Sequence, residues 1–283
     1  IITIQSVKIG VFNLESKTGY FENGLPYFRL GDSLGTLVVF EGLNFENKSP
    51  SGLQLRFMAG DYKEFAKVYT VYSVGRKPNL LGGYTTRDMA NDYAEMVRNE
   101  LDPPVDILGL STGGTIAQYF ALDHPDLVRR LVLASTGYRL IETGKRLQLH
   151  VGEMARQRKW RKALPAMVKG LYPKGGGMKK HFFKFMMWMM ATFAHPKDPS
   201  DLVVTIEAED NHNFKDLLSQ IKVPTLVIGG VDDYFYPIKE TADGIPGAKL
   251  ILYDGFGHNA WSDNGKKFKA DVLTFLGGES SDG

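Results

Sequence analysis

Val105-Asp106-Ile107-Leu108-Gly109-Leu110-Ser111-Thr112-Gly113-Gly114-Thr115-Ile116-Ala117-Gln118-Tyr119-Phe120-Ala121 decides how this chain folds. Val105, Ile107, Leu108 and Leu110 form the short apolar run of a central buried strand, and Ile116, Ala117, Tyr119, Phe120 and Ala121 recur at helical spacing. Between them, Gly109-Leu110-Ser111-Thr112-Gly113 reads as a sharp strand-to-helix turn. A serine at such a turn takes a strained backbone conformation that lifts its hydroxyl clear, provided its neighbours are small. Gly109 and Gly113 supply that room. Unpaired N–H groups and the helix dipole then favour negative charge beside Ser111. The turn is expected to offer a nucleophile and part of a cradle for an oxyanion.

A serine hydroxyl is a poor nucleophile near neutral pH, so this reading demands a histidine to take its proton and a carboxylate to orient the histidine. Both follow downstream. Residues 224–230 read as another buried strand, ending in Val231-Asp232-Asp233-Tyr234-Phe235-Tyr236-Pro237. A carboxylate there lies at the carboxyl edge of a parallel sheet, the same edge as Ser111. Residues 249–253 form a last strand, followed by Asp254-Gly255-Phe256-Gly257-His258. The chain order is serine, acid, histidine.

With this order the chain resembles the alpha/beta-hydrolase fold superfamily, specifically its serine carboxylesterase-like members with a helical cap. The resemblance implies an α/β fold: a doubly wound, mostly parallel sheet with an inserted helical cap. It selects Asp233 as the acid, three residues after Gly230 and four before Pro237, with Asp232 as runner-up. It selects His258, preceded by Gly257, as the base. It also implies an oxyanion hole formed by the N–H groups of Thr112 and Leu43, the latter in the loop after strand 36–40. Relatives carry a histidine in that loop where this chain has Glu41, which leaves Asn44 as an alternative side-chain donor. After strand 68–72, relatives often carry Asp-x-Arg-Gly-x-Gly, whereas this chain reads Ser73-Val74-Gly75-Arg76-Lys77-Pro78. Arg76 is expected to pair with loop carbonyls or a carboxylate.

The remaining histidines have a simpler reading. His124 closes the helix after Ser111, where a histidine can meet the helix C-terminus favourably. His150, His181, His195 and His212 lack metal-ligand spacing, so neither a metal nor, with Ser111 interrupting the glycines of 109–114, a nucleotide cofactor is expected.

At 283 residues the chain suffices for one large α/β domain, and its net charge of +2 gives no global attraction to nucleic acid. The charge is uneven: residues 139–184 hold 13 Lys and Arg against 2 acidic residues. The span between strands 131–135 and 224–230 is too long for a bare loop and should carry structure of its own. We read residues 138–218 as a helical cap, with helical spacing in 147–168 and a Gly-rich interruption at 175–177, and residues 1–137 and 219–283 as the core. Residues 7–13 and 27–30 are expected as leading strands.

Within the cap, residues 182–193 are apolar nearly all round a helix, so the helix is expected to be sandwiched between lid and core. Met186, Trp188, Met189 and Met190 are candidates to line an acyl pocket, because thioethers adapt to varied ligand shapes. The run is too short to cross a bilayer, which takes roughly 20 apolar residues. The basic cap is read first as a solvated surface, with steering of anionic substrates or contact with an anionic membrane surface as the sharper alternatives. The chain has no cysteine, which fits a cytoplasmic protein. Its start, Ile1-Ile2-Thr3-Ile4, lacks the features of a secretory signal, and its Gly-rich tail reads as a loose end.

The expected activity is cofactor-free hydrolysis of a small-molecule carboxylic ester with an apolar acyl part, through an acyl-enzyme on Ser111. Carbon-carbon bond hydrolase, lactonase, thioesterase and acyltransferase chemistry share the same residues. A ligand-binding sensor without turnover is the alternative from another class. Oligomeric state is not legible.

Overall fold

The stretch 105–110 is buried at every position, because it occupies the middle of a sheet covered on both faces. The computed structural model describes residues 3–9, 12–172, 177–193 and 195–277. In chain order the first elements are strands β1 (Thr3–Ile9), β2 (Phe12–Tyr20), β3 (Pro26–Leu30) and β4 (Gly35–Phe40), helix α1 (Leu53–Tyr62) and strand β5 (Tyr69–Val74). Helix α2 (Thr86–Glu100), strand β6 (Val105–Leu110), helix α3 (Thr112–Asp123) and strand β7 (Val128–Ala134) follow. Four helices come next: α4 (Glu142–Arg156), α5 (Trp160–Leu171), α6 (Gly177–Phe193) and α7 (Ser200–Asp210). The chain closes with β8 (Thr225–Gly230), α8 (Ile238–Gly244), β9 (Lys249–Tyr253), α9 (Ala260–Asp263) and α10 (Gly265–Gly277).

The nine strands among the described residues form one sheet in the order β1-β2-β3-β5-β4-β6-β7-β8-β9. Pairing is antiparallel from β1 to β5 and parallel from β5 to β9. Alternation within the central strands feeds two cores. Val38, Phe40, Val105 and Ile107 face one side, packing with Met89, Tyr93, Ile116 and Phe120 of α2 and α3. Leu37, Val39, Leu108 and Leu110 face the other, with Leu55 of α1 and Phe268, Val272 and Leu276 of α10. The fold is the doubly wound, mostly parallel α/β sheet read from the sequence.

Two local expectations are corrected. Residues 7–13 are not one strand: Val7 pairs with Leu14, Lys8 with Asn13 and Ile9 with Phe12, so the segment belongs to two antiparallel strands. Gly10 and Val11 between them lie outside the described residues. The helical stretch 147–168 is divided between α4 and α5, with Arg158 at φ 56° between them. Of the anticipated Gly-rich interruption, Gly175 and Gly176 lie outside the described residues, and Gly177 opens α6.

The sandwiched helix is corrected too. In α6 only Ala191 is buried; Met186, Trp188 and Met190 are exposed and Met189 is half-buried. The inward side of the helix is the narrow row Phe183, Met187 and Ala191, and Phe183 meets the Tyr172 ring at 5.7 Å. Among the described residues no helix is long and apolar enough to cross a membrane.

Candidate active site

Ser111 stands between β6 and α3 at φ 50°, ψ −121°, a conformation in the left-handed half of backbone space that a non-glycine residue adopts only when its surroundings hold it. Its own N–H donates to the Ala134 carbonyl at 2.9 Å, and the Gly114 N–H returns to the Ser111 carbonyl at 2.8 Å. Gly113 is required for packing: a Cβ there would lie 2.0 Å from the Phe40 carbonyl oxygen. β4 therefore approaches the helix start closely.

The Ser111 hydroxyl lies 3.0 Å from His258 Nε2, and His258 Nδ1 lies 2.9 Å from Asp233 Oδ2. Asp233 presents a carboxylate oxygen, which accepts, so Nδ1 carries the imidazole proton and Nε2 is left as the acceptor for Ser111. The other Asp233 oxygen, Oδ1, accepts the N–H groups of Phe235 at 2.8 Å and Tyr236 at 3.0 Å. Both carboxylate oxygens are thus fixed. It is Asp233, not Asp232, that meets the histidine; the Asp232 N–H donates to the Phe256 carbonyl at 3.0 Å. Gly230 lets the two loops meet, since a Cβ there would lie 2.2 Å from the Phe256 oxygen. The Phe235 ring covers the imidazole at 4.6 Å between centroids.

On the opposite side, the loop after β4 is held by Arg76. Its buried guanidinium donates to the carbonyls of Glu41 at 3.0 Å and Gly42 at 2.9 Å. This is the loop-carbonyl pairing expected for that residue. In a trans peptide the C=O and the following N–H point in opposite directions, so Arg76 on the Gly42 carbonyl turns the Leu43 N–H away from itself. Gly42 lies against Ser111: a Cβ there would sit 3.5 Å from Ser111 Cβ. The Glu41 carboxylate accepts from Ser73 at 2.8 Å and from Asn44 at 2.5 Å. Asn44 is thereby engaged within its own loop. As the first residue of α3, Thr112 has a backbone N–H without an intrahelical acceptor.

Sequence reasoning missed two residues of this site. Glu209 of α7 is fully buried; it accepts the Thr112 hydroxyl at 3.0 Å on Oε2 and the Tyr236 hydroxyl on Oε1, and also takes a hydrogen bond from Gln148 of α4. Burial pushes its carboxyl above the usual range, opposed by these three hydrogen bonds and by the Arg76 charge. The Tyr236 hydroxyl interacts with the Ser111 side chain as well and is pushed well up, by burial first and then by Glu209. A signal was present in the sequence: Leu202, Ile206 and Glu209 share one helical stripe, and all three are buried.

Elsewhere, His124 does cap α3, its N–H donating to the Phe120 carbonyl at 2.9 Å. Burial and then Arg98 lower its imidazole pKa, so it is less able to serve there as the cation a helix C-terminus favours. His212 is buried beside the Tyr119 and Phe214 rings, and desolvation lowers it to about 3.

The family model described as the alpha/beta hydrolase fold matches residues 71–175. A protein of Yersinia enterocolitica named as a carbamate hydrolase, RutD, is 26% identical over 216 residues, covering 74% of this chain and 76% of that protein. The pimeloyl-[acyl-carrier protein] methyl ester esterase of Neisseria meningitidis is 26% identical over 202 residues, covering 65% of this chain and 74% of the esterase. In three dimensions, the enol-lactonase of Burkholderia xenovorans superposes with a TM-score of 0.76 at 19% identity, covering 92% of this chain and all of the lactonase. With its sheet order, its strand–serine–helix turn and these likenesses, the chain has the alpha/beta-hydrolase fold.

Proposed function

We propose that the chain hydrolyses carboxylic esters, with Ser111 as nucleophile, His258 as general base and then acid, and Asp233 as the group that orients the imidazole. The observation that carries this reading is the unbroken hydrogen-bonded chain from Ser111 through His258 to Asp233, at 3.0 and 2.9 Å. His258 Nε2 takes the Ser111 proton as Oγ attacks the ester carbonyl. The imidazolium is stabilised by Asp233, and the oxyanion by the N–H groups of Thr112 and Leu43. His258 next protonates the departing alcohol, leaving the acyl group on Ser111. Water, deprotonated by the same nitrogen, releases the acid and restores the serine.

The helices between β7 and β8 act in this reading as a cap over residues 138–218. Its support is direct packing on the acid loop and the elbow. Cβ atoms at Gly144 of α4 and Gly170 of α5 would lie 2.8 and 2.2 Å from Phe235 atoms, and Glu209 of α7 reaches Thr112 and Tyr236. Ester cleavage is favoured over carbon-carbon cleavage because the latter needs polar side chains in the pocket to hold a diketone acid, and the Arg76 guanidinium is instead buried on loop carbonyls.

Steady-state hydrolysis of p-nitrophenyl esters of increasing acyl length, on the intact chain and on Ser111→Ala, tests the proposal. Turnover by the intact chain with a loss of several orders of magnitude in the variant is the expected result. Absence of turnover with tight stoichiometric binding would favour the sensor reading instead.

A further inference from the structure

Half of the large apolar side chains that are exposed among the described residues lie on α6. Met178, Phe182 and Phe185 follow at intervals of four and three, and Met186 lies four after Phe182 and seven before Phe193; with Met189 and Met190 they make one stripe along the helix. The stripe runs about 22 Å at 1.5 Å per residue. Phe182 is 60% exposed, Phe185 56% and Phe193 77%, values that belong to a surface awaiting a cover.

The surroundings of the stripe are positively charged. Beside the C-terminal half of α6 opens a groove of about 680 Å³ whose lining includes Arg158, Lys159, Arg161, Lys162 and Lys197, with Trp160 as its apolar wall. Arg161 lies over the Trp188 ring at 5.9 Å, and Trp188 stacks on Phe185 of the stripe at 6.3 Å, which joins groove to stripe. Among the described residues, Lys159, Lys162 and Lys197 of this groove have no carboxylate partner. The first turn of α5 holds Arg161 and Lys162 and no acidic residue, the reverse of what a helix N-terminus favours, so these charges do not serve the helix.

From the outward apolar stripe and its cationic border we infer that α6 and the adjoining groove form a docking surface for an anionic phospholipid membrane, with the apolar side chains in the interface and the cations on lipid phosphates. An interfacial helix has this composition: aromatic and aliphatic side chains on the lipid side, Lys and Arg beside them. Charge decides against a second copy as the occupant. Two-fold pairing through this face would set each cationic border against its own image. The inference stands on these residues alone and is independent of the chemistry at Ser111.

Co-sedimentation of the full chain with phosphatidylcholine vesicles, and with vesicles that also contain phosphatidylglycerol, tests it. The expected result is binding to the anionic vesicles only, weakened by salt. Phe182→Ser with Phe185→Ser should reduce that binding tenfold or more, and Lys159→Glu with Lys162→Glu should reduce it by about fivefold per cation or more. All four side chains are exposed, so both variants should keep the wild-type melting temperature and rate of ester hydrolysis. The inference is overturned by no binding, by equal binding to both vesicle types, or by variants that bind as the wild type does. It is equally overturned if ultracentrifugation finds a dimer that Phe182→Ser with Phe185→Ser converts to monomer, which would make a second copy the cover.

Discussion

The Thr112 hydroxyl donates to the Glu209 carboxyl at 3.0 Å, tying the residue after Ser111 to a helix that enters between β7 and β8. Tyr236 donates to the other oxygen of the same carboxyl. Removing Glu209 strands two buried hydroxyls, each worth about 1–3 kcal/mol when left unpaired. Glu209→Ala should therefore lower the unfolding free energy by about 2–6 kcal/mol. Glu209→Gln, which keeps an acceptor for Thr112, should lose less. Urea midpoints of the two variants make the comparison, and an equal loss in both would show that charge rather than hydrogen-bond acceptance is what Glu209 supplies.

Arg76 bridges two successive carbonyls of the loop that carries Leu43. Arg76→Met should free this loop and lower kcat on activated esters by about 10- to 100-fold, with a smaller effect on KM, because the displaced N–H acts on the transition state. Arg76→Lys should not restore the rate. One ammonium lacks the planar fork that spans both oxygens.

The two adjacent carboxylates should behave very differently. Asp233→Asn should lower kcat on the order of 10⁴-fold by favouring the wrong imidazole tautomer. Asp232→Asn should stay within a few-fold of the wild type, because the carboxylate that meets the imidazole is that of Asp233. Comparable losses in both would contradict the assignment.

His212 gives a pH prediction of definite sign. Burial lowers its imidazole from 6.5 to about 3, so between these values the unfolded chain holds the extra proton. Stability from the neutral ring is fully present above about pH 6.5 and declines by about 1.4 kcal/mol per unit as pH falls through that window. His212→Gln should lack this slope. Between about pH 6.5 and about pH 5 the wild type should lose about 2 kcal/mol more than the variant in urea unfolding.

Gly113→Ala would put a methyl 2.0 Å from the Phe40 carbonyl oxygen, against backbone that cannot yield. The expected outcome is loss of soluble, folded protein. A folded variant with wild-type melting would show that β4 and α3 are not locked together there.

How much of this was legible depended on whether the constraint was local. The turn at Ser111 could be read because strand, glycines and helix are contiguous, and the pairing of Asp233 with His258 because the resemblance places such a carboxylate by counting from Gly230 to Pro237. Residues 7–13 could not be read correctly, since apolar residues on both sides of Gly10 look like one strand until pairing with residues 12–18 is seen. The division between α4 and α5 falls at Arg158, a non-glycine residue at φ 56° that carries no punctuation in the sequence. Apolarity in α6 identified a helix but not its cover, because burial depends on what packs against it. Glu209 was visible as a carboxylate in an apolar stripe; its partners, 27 and 97 residues away, were not.

The Glu209 contacts also constrain how this protein can be rebuilt. Helical insertions between strands look like interchangeable modules, to be grafted from one scaffold to another at the strand ends. Here the graft would have to carry Glu209 in register with Thr112 from the elbow and Tyr236 from the acid loop. A chimera lacking any of the three would bury a polar group without its complement, so these residues travel between scaffolds only as a set.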